Sequence, residues 1–228
     1  MEKHINIAID GPSGAGKSTL AKRLAAQLNF IYIDTGALYR TVGYHVRKNN
    51  ADPTSVEQVV PLLPSAAIDL IYDEQGRQRM ILNGEDVSDF IRTQEISRYA
   101  SDVSALPPVR EFLLDTQRRL AAENNVIMDG RDIGTVILPN AQVKIFLTAT
   151  PEVRSHRRYL ELIEKGEKTD YETVLKEINQ RDYNDSHRAT APLRPSEDSV
   201  IVDTSEMDLE QANKALLDVI AEKTGVQK

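Results

Sequence analysis

The stretch Gly11-Pro12-Ser13-Gly14-Ala15-Gly16-Lys17-Ser18 constrains this chain more than any other part of it. It has the form G-x-x-x-x-G-K-[ST] and is followed by Thr19. Before it, residues 5–9 alternate around Ile5, Ile7 and Ile9, the pattern of a buried strand. After it, Leu20, Leu24 and Leu28 recur at helical spacing, with Asn29 placed to close the helix. A strand, a glycine-rich turn and a helix in that order make a phosphate-binding loop. The glycines let backbone N–H groups turn inward around phosphate oxygens, and the helix N-terminus adds a partial positive charge. Lys17 is placed to reach the β- and γ-phosphates, and the Ser18 hydroxyl to ligate Mg²⁺. At average composition this pattern arises by accident in roughly one chain in a hundred of this length, and the flanking strand and helix lower that further. A site for a nucleoside triphosphate is the expectation.

The rest of the chain reads as an α/β protein: a doubly wound parallel sheet flanked by helices. Strands are expected at 30–33, 126–128, 143–147 and 200–202, and helices at 37–48, around 109–120 and at 209 onward. Thr150-Pro151 reads as an N-cap with proline at the first helical position, opening a helix to about residue 164. Asp170 caps another to about residue 185, and Asp208 with Gln211 caps the last. Residues 51–100 break this rhythm. Thr54 with Glu57 suggests a capping box for a short helix ending near Pro61 or Pro64. Strand-like runs follow at 68–72, 78–82 and 85–87, the last two joined by Asn83-Gly84, the preferred two-residue hairpin turn. A small antiparallel sheet inserted into the α/β frame is expected. Ligands of such frames bind at the carboxyl ends of the strands where the strand order reverses. This directs attention to Gly11 onward, Asp34-Thr35 and Asp129 to Asp132.

Composition removes whole classes of function. The chain of 228 residues has no cysteine, so a disulfide framework, thiolate metal site and thiol nucleophile are excluded. A net charge of −7 argues against a broad nucleic-acid surface. No apolar run approaches a membrane span and no secretory signal is evident, so a cytoplasmic protein without membrane partners is expected. The charge is uneven. Residues 195–228 hold 8 acids and 3 bases, and so carry −5 of the −7. The remainder is nearly neutral and holds all 17 arginines.

Three classes of phosphate-loop protein compete. A regulatory GTPase needs N-K-x-D, but Asn213-Lys214 is followed by Ala215-Leu216. A motor or transport ATPase carries an apolar run ending in Asp. Val126-Ile127-Met128-Asp129 approaches this, yet Gly130-Arg131-Asp132 puts a cation where a metal site belongs. A small kinase moving a γ-phosphoryl group to a second bound molecule must neutralise two sets of phosphates, which calls for arginines and a water-excluding lid. Arg40, Arg131, Arg154, Arg157, Arg158, Arg181 and Arg188 fit that demand. A nucleotide-binding regulator without catalysis is the alternative outside enzymes.

Four blocks then resemble the bacterial cytidylate kinase family of nucleoside monophosphate kinases. They are residues 11–18, Asp34-Thr35-Gly36-Ala37-Leu38-Tyr39-Arg40, Asp129-Gly130-Arg131-Asp132-Ile133-Gly134-Thr135, and Arg181-Asp182 through Asp185 to Arg188-Ala189. The resemblance spans essentially the whole chain. It implies Mg²⁺-dependent transfer of the γ-phosphoryl of ATP to CMP, and also to dCMP, by a monomer. It implies a core of residues 1–34, 101–150 and 190–228, a monophosphate-binding region 35–100, and a lid near 151–170. ATP would lie on Gly11 through Thr19. Arg40 and Arg131 would hold the acceptor phosphate. Thr35, Arg110, Asp132 and Arg188 would read the cytosine, and Ser101, Arg181 and Asp185 would meet the pentose. Lys17, Arg131, Arg154, Arg157 and Arg158 would attend the transferring phosphoryl. Asp34 or Asp129 would assist Mg²⁺ through water, with a capping or strand-end role as the alternative for each.

Overall fold

The computed structural model describes residues 4–226. β1 (Asn6–Asp10) leads through the phosphate loop into α1 (Lys17–Leu28). Gly16 at φ 85° precedes that helix, and Asn29, left-handed at φ 55°, ends it. Then come β2 (Ile31–Asp34) and α2 (Thr35–Lys48), which starts two residues earlier than expected because the Asp34 side chain accepts from Ala37 N. α3 (Val56–Val59) is a single turn running into 3₁₀ geometry, then β3 (Ile68–Tyr72), β4 (Gln78–Leu82) and β5 (Glu85–Asp86). α4 (Gln94–Ser104) and α5 (Pro107–Glu123) precede β6 (Val126–Gly130) and β7 (Val143–Thr148). α6 (Pro151–Glu164), α7 (Tyr171–His187), β8 (Val200–Asp203) and α8 (Leu209–Thr224) complete the chain.

The main sheet has the order β2-β6-β1-β7-β8. β1 pairs in parallel with β6 (Asp10 opposite Gly130) and with β7, and β7 with β8. The chain steps from β1 to one side and later returns to the other, so the order reverses at β1. The phosphate loop leaves from that strand's carboxyl end, the place where such sheets bind ligands. Gly11, at φ +149°, fixes the departure. A Cβ there would lie 1.9 Å from the Leu147 carbonyl oxygen, so no other residue fits.

The chain forms two compact units, residues 1–32 with 121–228, and residues 33–120. The first buries Leu20, Ala21, Leu24 and Ala25 of α1 with Ile7, Ile9, Ile127, Ile145 and Leu147 of the sheet, and with Leu216 and Ile220 of α8. α6 and α7 add a smaller cluster of Leu162, Val174 and Ile178. The second unit packs α2 (Leu38, Val42, Val46) with α4 (Ile96, Ala100, Val103), α5 (Val109, Leu113) and the inserted sheet (Met80, Leu82). Residues 101–120 were expected with the core. They belong to this second unit, because α4 and the start of α5 share its apolar cluster.

Local readings meet two corrections. Ser55, not Thr54, caps the short helix by accepting from Gln58 N, while Thr54 N and Oγ1 both donate to Asp52. The sequence pattern after Val87 marks no element, yet α4 forms there, capped by Thr93. The inserted sheet is antiparallel as expected, and Asn83 and Gly84 both take positive φ in its turn (52° and 83°). Among the described residues no helix is long and apolar enough to cross a membrane.

Candidate active site

In the first unit, the register of β1 against β6 sets Asp129 and Gly130 beside the start of the phosphate loop. Lys17 is buried and its Nζ donates to the Pro12 carbonyl at 2.7 Å. Burial presses the ammonium pKa well below its ordinary value, with Arg131 and Arg181 nearby acting in the same sense. Ser18 Oγ donates to Asp129 Oδ2 at 2.9 Å, and Tyr32 OH to Asp129 Oδ1 at 2.8 Å. A hydroxyl beside a carboxylate is a hard-oxygen pair suited to Mg²⁺, which takes one or two protein oxygens with phosphates and water. Among the described residues no group of three His, Cys, Asp or Glu is arranged for a metal. Thr19 is exposed on the outer face of α1.

α7 and the turn after β6 contribute an array of paired charges. Arg131 Nε donates to Asp185 Oδ2 at 2.8 Å. Burial opposes ionisation of Asp185, but Arg131, Arg181 and Arg188 outweigh it and hold its carboxyl below the usual range. Arg188 pairs with Asp132 at 3.3 Å, both nearly fully buried, and its Nε donates to the Ala191 carbonyl. Arg154 makes a two-pronged contact to Asp182 (3.1 and 2.6 Å) and donates to the Ser13 carbonyl at 3.0 Å. Arg181 donates to Ser13 Oγ at 3.3 Å. Two arginines are therefore tied directly to the phosphate loop. Arg157 instead binds the Thr204 carbonyl (2.7 Å) and hydroxyl, and Arg158 pairs with Glu161. The three lid arginines do not converge, although Arg154 and Arg157 are one turn apart on α6.

The second unit holds a separate set. Thr35 is buried at the start of α2. Arg40 donates to Asp34 Oδ2 at 2.8 Å, and Asp34 Oδ1 accepts from Ala37 N. Asp34 thus acts as a helix cap and an arginine partner, the capping alternative left open from sequence. Gln78 of β4 accepts from Asp34 N at 2.8 Å, tying the inserted sheet to this corner. Arg110 is buried, donates to the Ser104 carbonyl at 3.3 Å, and sets its guanidinium 5.6 Å from the Tyr39 ring centroid. Ser101 lies on α4, its carbonyl accepting from Ser104 Oγ.

Sequence reasoning missed Tyr32 and Asp10. Tyr32 reads only as one residue of an apolar strand. Asp10 is buried and accepts from Ile133 N and Gly134 N, both at 2.7 Å. Burial raises its pKa to about 6, the two amides opposing and Asp132 adding to the rise. Below the ordinary carboxylate pKa near 4 the group is protonated in both folded and unfolded chains. Between about 4 and 6 the unfolded chain has released this proton while the folded chain still holds it, so stability falls across that window and levels off above it. The free-energy difference between the native chain and Asp10→Asn is expected to shrink by about 3 kcal/mol from pH 4 to pH 7. Urea unfolding of both proteins across that range measures it, and parallel curves would refute it.

A phosphate loop at the reversal point of a parallel sheet, with a lysine, a hydroxyl–carboxylate pair and loop-tethered arginines, defines a small phosphate-loop phosphotransferase. The comparisons specify it further. The model of the family described as cytidylate kinase matches residues 7–222. The cytidylate kinase of Caldicellulosiruptor bescii is 52% identical over 217 residues, covering 95% of this chain and 96% of that protein. The cytidylate kinase of Bacillus subtilis is 45% identical over 224 residues, 98% of this chain and 100% of that one. In fold alone, the crystal structure of an uncharacterized protein from Eubacterium ventriosum superposes with a TM-score of 0.54 at 15% identity, covering 96% of this chain and 99% of that one. The chain belongs to the cytidylate kinase family.

Proposed function

We propose that the chain transfers the γ-phosphoryl group of ATP to CMP, and to dCMP as a second acceptor, with Mg²⁺. The observation that carries this reading is the junction of the phosphate loop with the Asp129–Asp132 turn and α7 in the first unit. Lys17 and the loop amides hold the β- and γ-phosphates. Ser18 and Asp129 are the residues that would hold Mg²⁺, which when bound neutralises charge on the transferring group. Arg131 takes the acceptor phosphate, Asp132 and Arg188 the cytosine, and Arg181 and Asp185 the pentose. From the second unit, Arg40 binds phosphate, Thr35 and Arg110 bind base, and Ser101 binds sugar. A carboxylate accepts from the cytosine amino group, and guanidinium donates to the ring acceptors. The nucleophile is an acceptor phosphate oxygen that is already anionic, so no general base is required. The chain's contribution is positioning and charge neutralisation. Arg154, Arg157 and Arg158 belong to a lid near residues 151–170 that excludes water, and Arg157 and Arg158 must leave Thr204 and Glu161 to reach phosphate. The enzyme acts as a cytoplasmic monomer.

An acceptor screen with ATP and Mg²⁺ against AMP, CMP, dCMP, GMP, UMP and shikimate tests this. CMP is expected to give the highest kcat/KM, with dCMP next. Equal or better turnover of AMP or UMP would overturn the cytidine assignment, and ATP hydrolysis without transfer would point to a regulator.

A further inference from the structure

Asp10 is the last residue of β1, and the phosphate loop begins at the next position. Only 5% of it is exposed. Its two carboxylate oxygens face two backbone donors, Ile133 N and Gly134 N, each at 2.7 Å. These amides immediately follow Asp132, so this side chain ties the turn that carries Arg131 and Asp132 to the end of β1. A carboxylate matches two converging donors, whereas an amide would turn an N–H toward one of them. The back of the turn is closed as well. A Cβ on Gly134 would stand 3.2 Å from Lys144 Cδ and 3.4 Å from Asp10 Oδ2. Lys144 cannot readily withdraw, because its Nζ is held by the Pro139 carbonyl and by both oxygens of Asp198. Asp10, Gly134 and Lys144 have no part in the proposed chemistry, yet together they fix the position of two residues that do.

We propose that Asp10 is a positioning residue for the acceptor nucleotide, holding the Arg131–Asp132 turn in register with the phosphate loop that starts one residue later. This rests on the reading that Arg131 and Asp132 bind the acceptor. The test is the split between substrates. In Asp10→Asn, KM for CMP is expected to rise about tenfold and kcat to fall about tenfold, since small misplacements of binding groups are costly in rate. KM for ATP should stay within about twofold, because the loop keeps its own glycines and Lys17. Gly134→Ala leaves the carboxylate in place and displaces the amide it holds, so it should move the same parameters in the same direction. It carries the test if Asp10→Asn does not fold. Variants with a lowered melting temperature but unchanged kinetic constants well below it would overturn the proposal, leaving a purely structural role. An equal rise in both KM values would also overturn it, by placing the effect on the phosphate loop. Native protein is assayed in the same series. Should it prefer another monophosphate, the acceptor reading fails by itself, and the two variants are scored on that acceptor instead.

Discussion

Lys17→Met is expected to lower kcat on the order of a thousandfold while leaving the melting temperature unchanged or higher. The two effects have different origins. Catalytic loss follows from the proposed role of Lys17 as the cation at the head of α1 that meets the transferring phosphates, since one such donor is worth roughly 10²- to 10³-fold. Stability survives because the ammonium is buried, disfavoured by that burial, and satisfied mainly by one carbonyl at 2.7 Å. Replacing it with an apolar chain of similar length removes a desolvated charge. Steady-state rates with CMP and thermal melts of the unliganded proteins check both halves. Turnover within tenfold of the native chain would remove Lys17 from the phosphate site.

Arg188→Met is expected to raise KM for CMP about a hundredfold while changing KM for ATP less than about threefold. A charged hydrogen bond to a base edge contributes about 1.5–3 kcal/mol, and a pocket left with an unmet polar group rejects its ligand strongly. The side chain is held between Asp132 and the Ala191 carbonyl. Stability should fall too, because Asp132 stays buried and loses a guanidinium. Rates are therefore compared at a temperature where the variant remains folded. Equal weakening of CMP and ATP would move Arg188 to the triphosphate side or to structure.

What sequence reading captures here is mostly local. Asn83-Gly84, Thr150-Pro151 and the Asp208–Gln211 capping box each fix their own backbone within four residues, and all three form. α4 escaped because its buried stripe is Ile96, Ala100, Val103 and Ser104, too weakly apolar to stand out before its packing partners are known. The Thr54/Ser55 exchange shows two adjacent hydroxyls competing for one cap, decided by Asp52 claiming Thr54. In the site, the phosphate loop and the arginines at strand ends were legible as types in expected places. Their pairing with Asp182 and Asp185 was not, because it depends on how α7 packs. Asp10 is the clearest case. Its partners lie 123 and 124 positions away, and no periodicity encodes that distance.

The exposed strand β8 gives the lopsided charge a second meaning. β8 is an outer strand of the main sheet, four residues long, with Ile201 61% exposed. Open strand edges of this kind are templates for joining one molecule to another. Here the edge lies within the stretch that carries −5 of the net charge, with Glu197, Asp203 and Glu206 exposed before, within and after it. Two copies meeting along β8 would bring acid against acid. The acidic tail end thus sets a repulsive collar around the sheet's sticky margin, and its strength should weaken as salt screens it.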